Sequence, residues 1–579
     1  MALLFKRGAG FAARVLLPLV MASVAVPRAQ AQIRDTVSIQ EGLHADVARE
    51  VAALFNAPVA LRATHRIEIE EGVTVAGDVA VLNGPVIIAG HVSGRVLAIN
   101  ADVLLRKGAR IDGDLLVVGG DVEGRDGASI GGEIRIYRAS LRYAEQGDEI
   151  VAEVGNGTED QGWWRRWERR GQRNFNRIQV ASAGAFNRVE GLPIRIGPQF
   201  YRDQGWGHLR LDAVAIARTA SSFNGATADV GHDVRGEVRF GREFGVTLGG
   251  RVFDMVDPVE QWQMGNMEVG LSSFLFHRDY RDYFQRHGAR VQSAVRATES
   301  ADLTLSYGDE RWSSRRARDP FALFANDLRW RDNPRVDEGR FHVTNLTLRV
   351  DTRNDAFNPW SGWYVLADYE NGTGLIDLVA PTSSGVTPVA AGSTQYHRGF
   401  LDLRRYNRLG PSAAINLRVV LAGWLSGDPL PLERRLSIDG PGTIPGFDFR
   451  TKGGTDVGTC GVGEPIPGRP AQCERISLAQ LEYRSSIRLS FSDGLEEQRR
   501  NRFRADGEWV LFADAGRGWL VNAPGSPLTF RRGELPPLST YRTDIGAGLD
   551  FDQFGIYTAK ALSERGDALH LFLRIRHRF

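Results

Sequence analysis

Sulfur is scarce in this chain, with 2 Cys and 5 Met among 579 residues. Cys460 and Cys473 lie 13 residues apart in one Gly- and Pro-rich stretch without further Cys or His ligands nearby, so they read as a loop-closing disulfide of an exported protein rather than a metal site. Bulk charge is also nearly absent. The formal net charge of +2 gives no nucleic-acid footprint and no acidic tail, and no cofactor is implied. Long apolar runs are missing beyond the first 31 residues, so any membrane insertion must use strands and not helices. The 25% charged content argues against disorder, while 66 Gly mark many turns or a repeated coil.

What is present begins with a processing segment at 1–31. Lys6, Arg7 and Arg14 precede an apolar core from Val15 to Val26, and Ala29-Gln30-Ala31 forms a small-x-small cleavage site. The mature chain is expected to start near Gln32, and with no Cys at that point a lipid anchor is not expected. In the next stretch (32–62), Leu43, Val47, Val51, Leu54 and Phe55 share one helical face, and Asn56 with Pro58 should end that helix.

A repeat follows: VAGDV at 75–79, VSGRV at 92–96, IDGDL at 111–115 and IGGEI at 130–134. Its central residues Gly77, Gly94, Gly113 and Gly132 are 17, 19 and 19 residues apart. Short apolar strands with a Gly at each bend predict a β-solenoid of about four coils over 63–140. The stretch resembles the bactofilin-type polymer-forming β-helices. GASIG (127–131) matches the hydrolase G-x-S-x-G pattern, but it falls inside the repeat and lacks a strand-to-helix elbow, so Ser129 is assigned no chemistry. Residues 141–188 read as a polar linker. Within it, GWWRRWERRGQR (162–173) suits either a membrane-interface segment or a linker helix packed on a neighbouring domain.

From 189 to 579 short alternating segments recur between turn signals. Leu346, Leu348 and Val350 oppose Asn345, Thr347, Arg349 and Asp351, and Ile415, Leu417, Val419 and Leu421 oppose Asn416 and Arg418. The last segment sets Leu571, Leu573, Ile575 and Phe579 against Arg574, Arg576 and Arg578. The span suits 16 strands at about 24 residues per strand and connection. The segments themselves count 14 to 16, the unclear ones falling between 257 and 340. The fold class expected is all-β: a transmembrane antiparallel barrel preceded by a small periplasmic solenoid.

Four signals then occur in order: VDTRNDAFNPWSGWYV (350–365), ERRLSIDGPGTIPGFDFR (433–450), ISLAQLEYRSSI with VLFADAGRGW (510–519), and the terminal Phe579. Together they resemble the BamA/TamA outer-membrane assembly and translocation superfamily, the bacterial surface antigen family. The first signal includes the strand-motif residues Asp351, Arg353, Pro359 and Gly362. The resemblance implies a 16-stranded barrel whose sixth extracellular loop folds back inside as a plug. Its V-R-G-F/Y tip corresponds to Ile444-Pro445-Gly446-Phe447 here, and Phe512, Asp514 and Gly516 correspond to lumenal wall residues. Trp509, Leu511, Ala513 and Ala515 then face lipid.

This chain has Pro445 where the family has Arg, so the usual pair with Asp514 cannot form from that position. An unpaired carboxylate in a confined bore is costly, and Arg450 is the substitute cation expected. The POTRA modules of assembly members are not found between 32 and 185, where the solenoid stands instead. The resemblance implies an outer-membrane location in a Gram-negative bacterium, a periplasmic N-terminal region, outer-membrane lipid as a partner, and the barrel assembly machinery acting on this chain as client through Phe579.

Three functions are weighed. One is membrane biogenesis or transport through a plugged barrel. Another is a structural barrel anchoring a solenoid that binds envelope partners or peptidoglycan. An outer-membrane enzyme is not expected: His277, Asp279, Asp282 and His287 in HRDYRDYFQRH read as lumen or rim residues of a strand hairpin, and no Ser or Cys has a nucleophile context. The lumen side is expected to be ionic, with Glu482, Arg484, Asp514 and Asp550 among its residues.

Overall fold

The computed structural model describes residues 37–579 except 41–42, 44, 60, 65, 138–140, 142, 147–148, 153–173, 221–229, 242–244, 299, 325–328, 354–358, 382–388, 411–412, 448–472, 492–502, 522–528, 531–534, 552–553, 564–567 and 576. The expected signal segment, the Trp/Arg-rich stretch, Arg450 and Cys460 therefore lie outside the described residues. The chain divides into two compact units.

The first is a parallel solenoid. Each coil contributes to three sheets, and the widest runs in the spatial order Val37–Gln40, Ile134–Tyr137, Leu115–Val118, Val96–Ile99, Val79–Leu82, Leu61–Ala63. In-register pairing stacks Ala63, Val81, Ala98, Val117 and Ile136 into one column of the apolar core. Burying each Val or Ile there contributes about 1.5–3 kcal/mol. The repeated glycines stack backbone on backbone. A Cβ at Gly94 would come within 2.4 Å of the Gly77 carbonyl carbon, and one at Gly113 within 2.8 Å of that of Gly94. Carboxylates tie successive coils on the outside: Asp78 accepts from the Arg95 amide at 2.7 Å, and Asp114 from that of Glu133 at 2.9 Å. Ser129 is an exposed strand residue of this stack. The pairing of Val37–Gln40 with Ile134–Tyr137 closes one end with a strand remote in sequence.

In the second unit, helix α1 (Ala45–Asn56) packs on a hairpin of Tyr143–Gln146 and Glu149–Ala152. Asn56 ends the helix and exchanges two hydrogen bonds with the backbone of Ile150, at 2.7 and 2.8 Å.

The rest of this unit is dominated by a sixteen-stranded antiparallel barrel. The strands are β1 Asn174–Ser182, β2 Pro193–Gln204, β3 Gly207–Arg218, β4 Val230–Phe240, β5 Gly245–Pro258, β6 Tyr283–Thr298, β7 Ala301–Ser314 and β8 Glu338–Asp351. They continue as β9 Gly362–Leu378, β10 Gly392–Gly410, β11 Ala413–Gly427, β12 Arg475–Phe491, β13 Phe503–Val521, β14 Arg542–Phe551, β15 Phe554–Ala561 and β16 His570–Ile575. Each pairs with the next, and among the described residues no ladder joins β1 to β16. The sheet begins at Asn174, upstream of the expected boundary at 189, because NFNRIQVAS already alternates.

That alternation sets the two faces. Ile178, Val180, Ile196, Phe200, Leu209 and Leu211 are exposed on the outside, while Gln179, Arg195, Gln199, Arg210 and Asp212 are buried on the inside. The meander also sorts the connections. Short ones such as 205–206, 299–300, 411–412 and 552–553 share one end, and the long ones 259–282, 315–337 and 428–474 share the other. Within 259–282 lies helix α2, Asn266–Phe276, which accounts for the unclear alternation expected between 257 and 340.

Candidate lumenal site

In the connection from β11 to β12, the described residues up to Phe447 turn back along the inner wall. Leu436, Ile438, Ile444 and Phe447 are buried in one cluster with Val420 of β11, Ile476 and Leu478 of β12, Leu520 of β13 and Ala561 of β15. Its bend is made by Asp439 and Gly440, with φ of 100° and 89°, and the Gly440 amide donates toward the carbonyls of Ile444 and Phe447. A φ this positive is strained for Asp. Asp439 is held by the Thr443 hydroxyl, which accepts from its amide at 2.8 Å, and by Arg542 at 2.7 Å.

Two glycines make the fit. A Cβ at Gly446 would come within 2.7 Å of the Asp544 Cβ, and the Gly446 amide donates to the Asp544 carboxylate at 2.5 Å. A Cβ at Gly516, on β13, would overlap Ile438 and Ile444 at 2.5 and 2.8 Å. The wall completes the contact with Gln480 donating to the Thr443 carbonyl at 2.8 Å, Arg574 donating to that of Pro441 at 3.0 Å, and the Arg542 guanidinium 4.6 Å from the Phe447 ring centroid.

The expected site residues therefore fall into two groups. Ile444 meets Gly516, Gly446 meets Asp544, Phe447 lies under Arg542 and Pro445 is buried between them in sequence, whereas Phe512 and Asp514 meet the C-terminal tail. Asp514 is ion-paired with Arg578, whose guanidinium lies 3.6 Å from the Phe512 ring centroid. Among the described residues the cation at Asp514 is Arg578 of the C-terminal tail, while Arg450 lies outside them, and sequence proximity could not find Arg578 because the partners are 64 residues apart. His577 joins Asp550 at 2.9 Å, so the tail before Phe579 turns inward across β12–β14. Cys473 is buried and disulfide-bonded, and pairs through its backbone with Leu436.

The remaining inner surface is ionic. Asp402 accepts from Arg404 and Arg418, each at 2.8 Å, and Arg484 binds Glu482, Glu508 and Asp550. Beside the loop is a polar cavity of about 280 Å³ lined in part by Arg286, Arg290, Glu370, Arg398, Glu433 and Arg434. Arg434 pairs with Glu370 at 2.7 Å and stacks over Trp312. Burial pushes the Glu433 carboxyl up to about 8, and the neighbouring Asp337 carboxylate acts in the same sense. In the strand motif, Asp351 and Arg353 pair at 3.0 Å, Pro359 is buried, and Gly362 opens β9 with φ of 111°.

The HRDYRDYFQRH residues are not a hairpin. His277 caps α2 in the left-handed region and stacks on Trp330 at 3.8 Å, while Asp279 and Asp282 are each 3.0 Å from the fully buried Arg188. Of the candidates His277, Asp279, Asp282 and His287, the last alone is on a strand, β6, where it is exposed. The cluster ties the connections 183–192, 259–282 and 315–337 together, with Arg331 adding a 2.6 Å pair to Asp282.

No family model and no curated protein matches this chain. Among solved structures it is similar to BamA from Haemophilus ducreyi lacking POTRA domains 1–3, at 16% identity and a TM-score of 0.42 over 70% of each chain. It is also similar to CdiB from Acinetobacter baumannii, at 10% identity and a TM-score of 0.29 over 75% of this chain and 64% of that one. CdiB from Escherichia coli matches at 10% identity and 0.29 over 76% and 67%. Likenesses of this strength assign no function.

Proposed function

We propose that this is an outer-membrane barrel that serves membrane biogenesis or transport, with the 428–447 segment as its lumenal plug and the solenoid on the periplasmic side. The observation that carries the reading is the seating of 436–447 against the inner faces of strands β11 to β16. A sixteen-stranded bore is too wide for wall side chains to fill, so a folded-in segment is needed to close it. The apolar exterior supplies the lipid-facing surface, and the short connections mark the periplasmic end as they do in outer-membrane barrels generally.

The test is planar-bilayer conductance of the full chain against a variant lacking residues 440–447. Larger or more frequent openings are expected from the deletion, and an unchanged trace would overturn the plug. The solenoid favours a second reading, in which the barrel anchors a rigid periplasmic stack for an envelope protein or peptidoglycan. Capture of a periplasmic scaffold by the full chain would select that reading, and capture of client barrels would select the first.

A further inference from the structure

Helix α2 is apolar nearly all the way round, with Glu268 its only charged residue. A helix of that kind needs cover on every side. Val269 and Ser273 are buried on one face. On one flank the Glu268 carboxylate accepts from Arg574 at 2.6 and 3.3 Å and from the backbone amide of Ile575 at 2.8 Å. An amide of β16 that donates to a side chain sets Glu268 along the edge of the last strand that β15 does not occupy. On the other flank a Cβ at Gly270 would come 3.2 Å from the Phe186 amide and 3.6 Å from the Ala185 Cβ, and the Phe274 ring meets Phe186 edge-on at 5.4 Å. Ala185 and Phe186 lie three and four residues beyond the end of β1. The helix thus touches the ends of the two strands that no described ladder joins.

Its fourth face is the informative one. Met267, Leu271 and Phe274, spaced i, i+4 and i+7, are 63%, 36% and 37% exposed. At about 100° per residue they lie between the Glu268 and Gly270 flanks and opposite Val269 and Ser273. The flanking strands expose Ile178 and Val180 on one side and Leu571 and Leu573 on the other. We infer that α2 is a wedge sealing the seam between β1 and β16, with Met267, Leu271 and Phe274 seated against outer-leaflet acyl chains. Continuity with the apolar barrel exterior commits the face to lipid, since the same three side chains turned into a wet bore would be uncovered. The inference rests on the barrel being membrane-inserted. Glu268 is the latch: it neutralises Arg574 and occupies an edge amide that would otherwise be free to pair with another strand.

The test places a fluorescent maleimide at Leu271→Cys, or at Met267→Cys, in the full-length protein in liposomes whose acyl chains carry bromine. Leu571→Cys serves as an outer-wall control and Arg398→Cys as a lumenal one, and heat-modifiable migration checks that each variant folds. Loss of fluorescence at the helix equal to that at Leu571→Cys is expected. Fluorescence as bright as at Arg398→Cys, with Leu571→Cys quenched, overturns the wedge while leaving the barrel in the membrane. No quenching at Leu571→Cys would instead remove the membrane reading. Adding Glu268→Gln should speed labelling of Leu271→Cys by a water-soluble maleimide, and an unchanged rate would overturn the latch.

Discussion

In the solenoid, Val81, Ala98, Val117 and Ile136 are among the residues without exposed surface; in the barrel, Arg418, Glu482, Arg484 and Asp514 are among those almost without it. Both units are built of β-strands, so strand structure alone does not decide what goes inside. Width does. A solenoid coil is narrow enough for Val and Ile from three sheets to meet and exclude water, whereas sixteen strands enclose a space that only polar side chains and a returning loop can fill. Many apolar residues of the barrel strands face outward, those turned inward gather in clusters such as the one under the returning loop, and buried charges such as Asp402 and Arg484 are held in ion pairs.

The largest expected effect comes from breaking the dry interior. Val117→Asp puts an unpartnered carboxyl into the stack at a cost above about 4 kcal/mol. Proteolysis of the full chain should then cut within 61–137 while the barrel keeps its heat-modifiable migration, and a resistant solenoid would dissolve the contrast. Next is Asp402→Ala, which strands Arg404 and Arg418 and should cost about 3–5 kcal/mol in urea unfolding from liposomes, with Asp402→Leu plus Arg404→Met and Arg418→Met recovering most of it. On the opposite face, Leu511→Arg should cost about 2–4 kcal/mol if it meets lipid near mid-membrane, read as lower folding yield into vesicles.

The smallest effect is a pH slope. Glu433 sits at about 8 in the folded protein against an ordinary 4.5, so its stabilising contribution is complete below 4.5 and is lost as pH rises through 8. The band-shift temperature should fall between pH 6 and 9, and Glu433→Gln should flatten that fall. Asp337, also raised by burial, would keep a residual slope at lower pH.

Legibility followed locality. The glycine period announced the solenoid because Gly94, Gly113 and Gly132 each need a bare backbone above another glycine, a constraint that recurs at a fixed spacing. The alternation of Leu511, Ala513 and Ala515 against Phe512, Asp514 and Gly516 could be read for the same reason, since a pleat repeats every two residues. Helix α2 could not. NMEVGLSSFLF has apolar residues on all sides because its faces meet different surroundings, so no helical stripe shows. Arg578 was equally hidden as the partner of Asp514, because the pairing depends on the tail bending inward after Ile575, a choice made by tertiary contacts.

The glycine column has a further consequence. Because each coil rests on the one below through bare backbone and in-register ladders, a duplicated coil would add one strand spacing, about 4.8 Å, without disturbing its neighbours. The repeat can therefore act as an adjustable spacer, lengthened by duplication or shortened by deletion of whole coils while the strand Val37–Gln40 goes on capping whichever coil comes last.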